Sequence, residues 1–431
     1  MANNFAVIGS GPVAYFCIEE LNKQGFHVDL YAPDELKKVE LHSSYYYKSF
    51  AIKQRLKQPF LFNRNSQIPE VSQLNTAFYE IYRIGGLAEV WGGVFFPWSA
   101  HQNCFDDFDS QVYRSILKEV FTKFNFSEYS DFLLNYAFDS STTQYASIKT
   151  PIIWNHNLSK PWSPRNDLLK NSKYSLYGPA HSLEFYDDFS VRVKYFDSRD
   201  NFLESKKYDW VFVAAGPIGD AKLILNSTNE ISSILVNDSK VSYSICFGKI
   251  QNYSEKMTPI AFYSKFKRNS NFSQVYAISG ELIEAIKSPF LKAFMRLIKK
   301  FFKKHIAISI NFHGSKGSNS FKIQKSSTNF HAIGSRTFRF KIGFPSFQFR
   351  LGIINTNFGF FAKSGSSQHI GAFIQNTAKG AVLAKDKAIK FHSVTFLGAS
   401  SLSNIPTGPI TLTALVNAIY QTRNFLARYK K

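Results

Sequence analysis

The residues VIGSGPVA, 7–14, continue the apolar run NFAVI (4–8) and lead into a stretch with the period of a helix. A strand that ends in Gly-x-Gly and turns at once into a helix dictates a βα unit whose loop carries little side chain. Gly9 allows the tight turn. Gly11 lets backbone amides approach a pyrophosphate, and Ala14 stands where close helix–strand packing calls for a small residue. Ser10 and Pro12 complete the turn. The oriented N–H groups at the helix start favour an anion there. Val13, Phe16, Cys17 and Leu21 give this helix, read over 12–24, one apolar face. Gly25 stops it, and HVDLY (27–31) supplies the next strand. A dinucleotide site ordinarily places an acid about 20 residues further on, for the ribose hydroxyls. Ala32 occupies that place; either Asp34 and Glu35 just beyond it substitute, or backbone and water do the job.

A second unit of the same kind lies far along the chain. Tyr208–Ala215 (YDWVFVAA) reads as one apolar strand, Gly216-Pro217 turns it, and Ile218, Ala221, Ile224 and Leu225 form the stripe of a following helix. Residues 111–135 read as an amphipathic helix, 181–196 as strands, and 240–280 and 305–362 as strands of a separate sheet. The chain closes with a strand at 393–397, a Ser/Pro/Gly loop to Pro409 and a helix over 410–428. Residues 40–80 show little period. A chain of 431 residues exceeds one ordinary core, so two domains are expected. The three cysteines have no metal-ligand spacing, so neither a zinc site nor a disulfide framework is expected. The start lacks a basic leader, and no apolar run reaches the roughly 18–20 residues of a membrane span; a reduced, cytoplasmic setting follows as the expectation. The net charge of +21 favours anionic partners. No zinc-finger, RRM or basic-zipper signature accompanies it, so nucleic acid is not expected.

RIGGLAEVWGG, 83–93, places two glycine pairs around a short apolar stretch and a tryptophan. Together with Gly9 and Gly11, its bare backbone fits close passage along a flat cofactor. Here the chain resembles the glucose–methanol–choline (GMC) oxidoreductases, as a divergent member. GGLAEVWGG is similar to their Gly-Gly-x-Ser-x-x-Trp-Gly-Gly stretch, with Ala88 in place of the serine. VFVAAGPIGDAKLILNS (211–227), SSQHIGAF (366–373) and TFLGASSLSNIPTGPITLTALVNAIY (395–420) are similar to further family segments, in the family's order.

The resemblance implies an α/β fold: a discontinuous, Rossmann-like FAD-binding domain from residues 1–110, 177–230 and 363–431. An interleaved α+β substrate domain on an antiparallel sheet would come from 111–176 and 231–362. It implies FAD as cofactor, lined by Gly85, Gly86, Trp91, Gly92 and Gly93, with Arg83 near the phosphates. Ala215, Gly216, Ser400, Pro409 and Ile410 would line it from the second unit and the closing loop. It also implies hydride transfer from a CH–OH group to flavin N5, with His369 facing the ring as the base. Two departures stand out. Gly398 replaces the usual Asp of the closing loop, and Gly408 or Pro409 falls where the family has a second catalytic residue. Two readings of His369 therefore stand, a catalytic base or a structural histidine, and the chain as a whole is either an active oxidoreductase or a protein that keeps the fold for binding.

SPFLKAFMRLIKKFFKKHI, 288–306, carries Phe290, Leu291, Phe294, Leu297, Ile298, Phe301 and Phe302 on one helical stripe. Arg296 and five lysines occupy the rest, with no acid between them. Such a helix lies in an anionic membrane interface or packs on a sheet with its lysines in solvent. The overall charge favours the first reading, and with it a small-molecule substrate that is lipid-linked or phosphorylated, sugar or polyol in kind.

Overall fold

The computed structural model describes residues 4–33, 71–76, 78, 80, 84–89, 109–124, 146–149, 154–155, 160–170, 173–248, 260–266, 269–277, 293, 296–298, 300–301, 306–313, 320–327, 329–335, 339–341, 346–348, 353–361, 363–365, 369–383, 388–406 and 410–429.

Five short strands form a parallel sheet: β1 (Phe5–Ile8), β2 (Val28–Tyr31), β3 (Tyr174–Tyr177), β4 (Trp210–Val213) and β5 (Val394–Phe396). Their order is β5-β4-β1-β2-β3, and every neighbouring pair is parallel. The chain goes from β1 outward to β2 and β3, then returns to lay β4 and β5 on the other side. The direction of winding thus reverses between β1 and β4, and such a switch point is where open α/β sheets bind ligands, beyond the carboxyl ends of the strands.

The strands are apolar on both faces, as a covered parallel sheet requires. Phe5, Val7, Val28, Leu30 and Phe212 pack beneath three helices: α1 (Pro12–Lys23), α2 (Ser110–Lys123) and, after α3 (Gly216–Ser227), the closing helix α4 (Thr411–Tyr429). Ala6, Ile8, Val211, Val213, Val394 and Phe396 face the other way, onto Ile218, Ala221, Ile224 and Leu225 of α3. That alternation is the period-two geometry of a strand. Fully burying a Val, Ile or Phe side chain stabilises by about 1.5–3 kcal/mol, so covering both faces is what makes such short strands hold. Arg423 on α4 pairs with Glu20 of α1 at 2.7 Å and Glu119 of α2 at 2.6 Å, and so ties the three helices together. Burial works to raise the pKa of Glu20, but its bonds to Arg423 and Lys23 outweigh that and leave it lowered.

A three-stranded antiparallel meander (Ala180–Phe185, Val191–Phe196, Phe202–Tyr208) follows β3. Tyr208 fixes it: its hydroxyl donates to Asp29 at 2.8 Å and lies 2.6 Å from the Tyr31 hydroxyl, both partners on β2. An eight-stranded sheet is built around Lys240–Gly248, flanked by antiparallel Ile306–His313 and Ile353–Phe361 and extended to Ala146–Lys149. A five-stranded sheet links Ile370–Gly371, Ser233–Asp238, Ser320–Ser326, Asn329–Gly334 and Val71–Leu74, the last pair parallel.

Several expectations change. Tyr208–Ala215 is not one strand: it breaks at Asp209, whose N–H donates to Asn4, so Tyr208 ends the meander while Trp210 starts β4. The helix expected over 111–135 ends at Lys123, and residues 125–135 lie outside the described ones. Residues 111–176 were expected in the second domain. Instead α2 buries Tyr113, Ile116, Leu117 and Val120 in the same core as α1 and α4, and β3 completes the parallel sheet. Val71–Leu74 is a strand within a stretch that showed little period: it buries Val71 alone, and an edge strand with one buried side chain leaves no alternation to read.

Candidate functional site

The carboxyl ends of β1, β4 and β5 carry three turns that meet. Gly9 follows β1 with φ of +107°, and a Cβ there would stand 2.3 Å from the carbonyl oxygen of Ala214, past the end of β4. The Ala214 N–H returns to the Ile8 carbonyl at 2.7 Å, so the two turns are locked side by side. Pro12 is the first residue of α1, and Gly11 caps it with ordinary extended backbone. Ala14 is fully buried in the core beneath the helix, the packing role its position called for. Among the described residues, a Cβ built on Gly11 or on Gly216 meets no heavy atom within 4 Å. Two helix N-termini, α1 and α3, thus open onto the same edge of the sheet with bare backbone at their mouths. Oriented N–H groups without side-chain cover are the donor set that a pyrophosphate takes.

The second glycine pair comes to the first. The Gly85 N–H donates to the Ser10 carbonyl at 3.1 Å, and a Cβ on Gly86 would lie 3.7 Å from Gly11 Cα. Both glycines have positive φ, +96° and +56°, which matches their residue type. Residues 86–89 form a short 3₁₀ turn. Arg83, Trp91, Gly92 and Gly93 lie outside the described residues, as do Asp34, Glu35 and Pro409. Ala32 is buried, with its N–H on the Tyr177 carbonyl at 3.1 Å. Asp29, the carboxylate on β2, faces Tyr208 and Lys206 under the meander.

The third turn is Gly398–Ser401, after β5. Gly398 has φ of +73°, and a Cβ there would meet Val13 Cγ2 of α1 at 2.9 Å. The departure noted from sequence thus has a physical reason: a side chain at 398 would press on the first turn of α1. Asn417 of α4 donates to the Gly398 carbonyl and to Ser401 Oγ, each at 2.9 Å. Ser400 was expected to line the cofactor. Its side chain is fully buried and donates to Asp220 of α3, so Ser400 holds the turn in place. Ile410 is buried in a small apolar cluster with Ala372 and Leu402 and accepts the Ala414 N–H, which starts α4.

His369 reaches this edge through its neighbours. Its carbonyl accepts from Ser239 at 3.0 Å, and Ile370–Gly371 pair with Ser233–Asp238. Ala372 and Phe373 then donate to the carbonyls of Ala399 and Ser400 at 2.8 and 3.0 Å. The imidazole stacks face to face on Phe312 of the eight-stranded sheet, with centroids 4.7 Å apart. The histidine therefore sits where the closing turn and the antiparallel sheet meet. Its Nδ1 is shut off from solvent. Desolvation pushes its pKa down to about 3, which keeps the ring neutral at every ordinary pH.

Asp220 was missed in the sequence. It is fully buried, and burial raises its pKa to about 7 against the lowering pull of the Ser400 hydroxyl and the Ala215 N–H. A carboxylate inside an apolar helical stripe was the available signal. Ser242, Ser244, Ser309 and Asn311, a buried polar row on the eight-stranded sheet joined by Asn311 to Ser244 at 2.9 Å, was also missed.

These turns and sheets define a doubly wound α/β protein with glycine turns meeting at its switch point and antiparallel sheets beside it. The same fold spans pyridoxine 4-oxidase from Mesorbium loti: 99% of this chain superposes on 99% of that one with a TM-score of 0.53, at 9% sequence identity. No protein-family model matches the sequence. Nor does any curated protein match it.

Proposed function

We propose that the chain is an FAD-dependent oxidoreductase of the glucose–methanol–choline type that oxidises a CH–OH group. The observation that carries this reading is the laying of Gly85–Gly86 against Ser10–Gly11 at the sheet's switch point, with no side chain of the described residues within 4 Å of a Cβ placed at either helix mouth. That cradle fits a dinucleotide: bare backbone donors and small residues where the helix meets the strand. Gly9, Ser10, Gly11, Pro12, Gly85 and Gly86 would hold the pyrophosphate side, and Ala215 and Gly216 the neighbouring edge. When bound, FAD supplies the hydride acceptor. The fold shared with an enzyme named as an oxidase of pyridoxine supports the redox class.

His369 is the residue we assign to the hydroxyl proton. Its ring, which burial keeps neutral, would accept that proton. Phe312 fixes the plane of the ring and keeps water from that face. The substrate we favour is a sugar or polyol, lipid- or phosphate-linked, because the net charge of +21 draws anions. Mixing the FAD-loaded protein with alcohols in the absence of oxygen tests the reaction: a substrate bleaches the flavin spectrum within the mixing experiment. A loaded protein that no polyol bleaches supports the second reading, a fold retained for binding, which Gly398 and Gly408 favour.

Association with an anionic membrane surface is a further part of the proposal. Among the described residues no helix is long and apolar enough to cross a membrane. Residues 293, 296–298, 300 and 301 are helical, and the rest of 288–306 up to His305 lies outside the described residues. Leu297 is 53% and Phe301 71% exposed beside Arg296 and Lys300, the pairing of apolar and basic groups that an interface takes up. The protein is expected to sediment with phosphatidylserine vesicles, and a Leu297→Asp, Phe301→Asp variant to stay in the supernatant. Equal sedimentation of the two would assign the helix another role.

A further inference from the structure

Asp220 lies in the second turn of α3, fully buried, with one carboxylate oxygen accepting the Ala215 N–H at 2.9 Å and the other the Ser400 hydroxyl. Its two partners belong to different turns. Ala215 caps α3 just past the end of β4, and Ser400 is inside the turn that follows β5. Burying a carboxyl is costly unless its hydrogen bonds are made, and a neutral side chain would cost less. What a carboxylate offers is two equivalent acceptor oxygens at one position. Asparagine would keep one oxygen for the Ala215 N–H and donate its NH₂ to the Ser400 hydroxyl, which reverses that bond, whereas leucine makes neither. The reach back to the N-cap residue Ala215 also points the carboxyl at the helix N-terminus, where the dipole favours its charged form.

The same helix buries a second charge with a similar connection. Lys222 pairs with Glu80 at 3.1 Å, in the segment that leads into Gly85–Gly86. α3 therefore ties itself to the closing turn through Asp220 and to the approach of the glycine loop through Lys222.

We propose that Asp220 is a positioning residue of the cofactor site. It locks the Ala214–Gly216 turn and the Gly398–Ser401 turn in one register, so that both present backbone to the same dinucleotide. This inference rests on the FAD reading above. Asp220 does not itself touch the cofactor. It acts through Ala215 and Ser400, and through Ser400 on Gly398, which is packed on Val13 at the start of α1.

The test is FAD titration followed by fluorescence quenching, with the visible spectrum of the bound flavin and the melting temperature of each FAD-free variant recorded alongside. Asp220→Leu, which fills the space but makes neither bond, should bind FAD roughly ten-fold more weakly, with a shifted flavin spectrum. Ser400→Ala should weaken binding in the same direction, and the double variant should be no weaker than Asp220→Leu alone. A folded Asp220→Leu variant with wild-type affinity and spectrum overturns the proposal. Should Asp220→Leu fail to fold, Ser400→Ala decides: wild-type affinity there overturns it equally. A wild-type protein that takes up no FAD overturns this inference and the reading beneath it, whereas variants equal to a wild type that does bind overturn the inference alone.

Discussion

Replacing His369 with alanine is expected to lower the rate of flavin reduction by an alcohol substrate by about 10²–10⁴-fold, the range that a positioned general base contributes. FAD affinity should change little, because His369 stacks on Phe312 and its carbonyl takes the Ser239 N–H, both away from the glycine turns. The pH dependence carries a second signature. Burial lowers the pKa of His369 to about 3, so the ring stays in its accepting form far below the ordinary histidine range. The ratio of wild-type to His369→Ala rates should therefore be constant between about pH 5 and 8. A ratio that collapses as pH falls through about 6.5 would mark a solvated histidine and contradict its enclosed position. The same shift bears on stability. The unfolded chain binds a proton at this residue below about 6.5 while the folded chain does not, so its contribution is fully present above that pH and is lost on acidification toward pH 3. A fall in rate with unchanged flavin binding assigns the base; an unchanged rate leaves His369 as a packing partner of Phe312.

Two glycines of one turn should fail in opposite ways. Gly9→Val forces a side chain to within 2.3 Å of the Ala214 carbonyl at φ of +107°, where β1 and β4 are clamped together. The expected cost is about 3 kcal/mol or more, seen as a large drop in the melting temperature of the FAD-free protein. A Cβ at Gly11 meets no heavy atom of the described residues within 4 Å, and Gly11 sits at an ordinary φ of −73°. The folded protein should keep its melting temperature within a few degrees, as surface substitutions away from packed features do. Its FAD affinity, however, should fall by about 100-fold or more, because the new side chain stands over the amides at the start of α1. If Gly11→Val binds FAD like the wild type, the mouth of α1 is not where the dinucleotide lies. A marked loss of melting temperature at Gly11 would mean that the open space is filled by the protein's own side chains.

The residues that made the fold legible are those whose physics is local. VIGSGPVA gives strand, turn and helix within fourteen residues of the start, and AAGP does the same for β4 and α3, because glycine, proline and an apolar period each act on their own neighbours. The closing strand and helix were legible for the same reason. What the sequence did not disclose depends on partners far away. Val71–Leu74 becomes a strand only by lying parallel to Asn329–Gly334. Gly398 reads as a lost aspartate until Val13 is seen beside it. That the Ser400 hydroxyl goes to Asp220, 180 positions earlier in the chain, is likewise invisible in the sequence. The two glycine loops were each expected along a cofactor; that Gly85 donates directly to the Ser10 carbonyl was not legible in the sequence.

The claim on which the rest depends is that the cradle above α1 and α3 takes FAD. Titrating the purified FAD-free protein with FAD, and reading both the bound visible spectrum and the melting temperature, tests it most directly. The account predicts saturable uptake of one FAD per chain with a rise in melting temperature, since a ligand that binds only the folded state stabilises it. A folded, colourless protein that takes up no FAD and whose melting temperature does not move would contradict it.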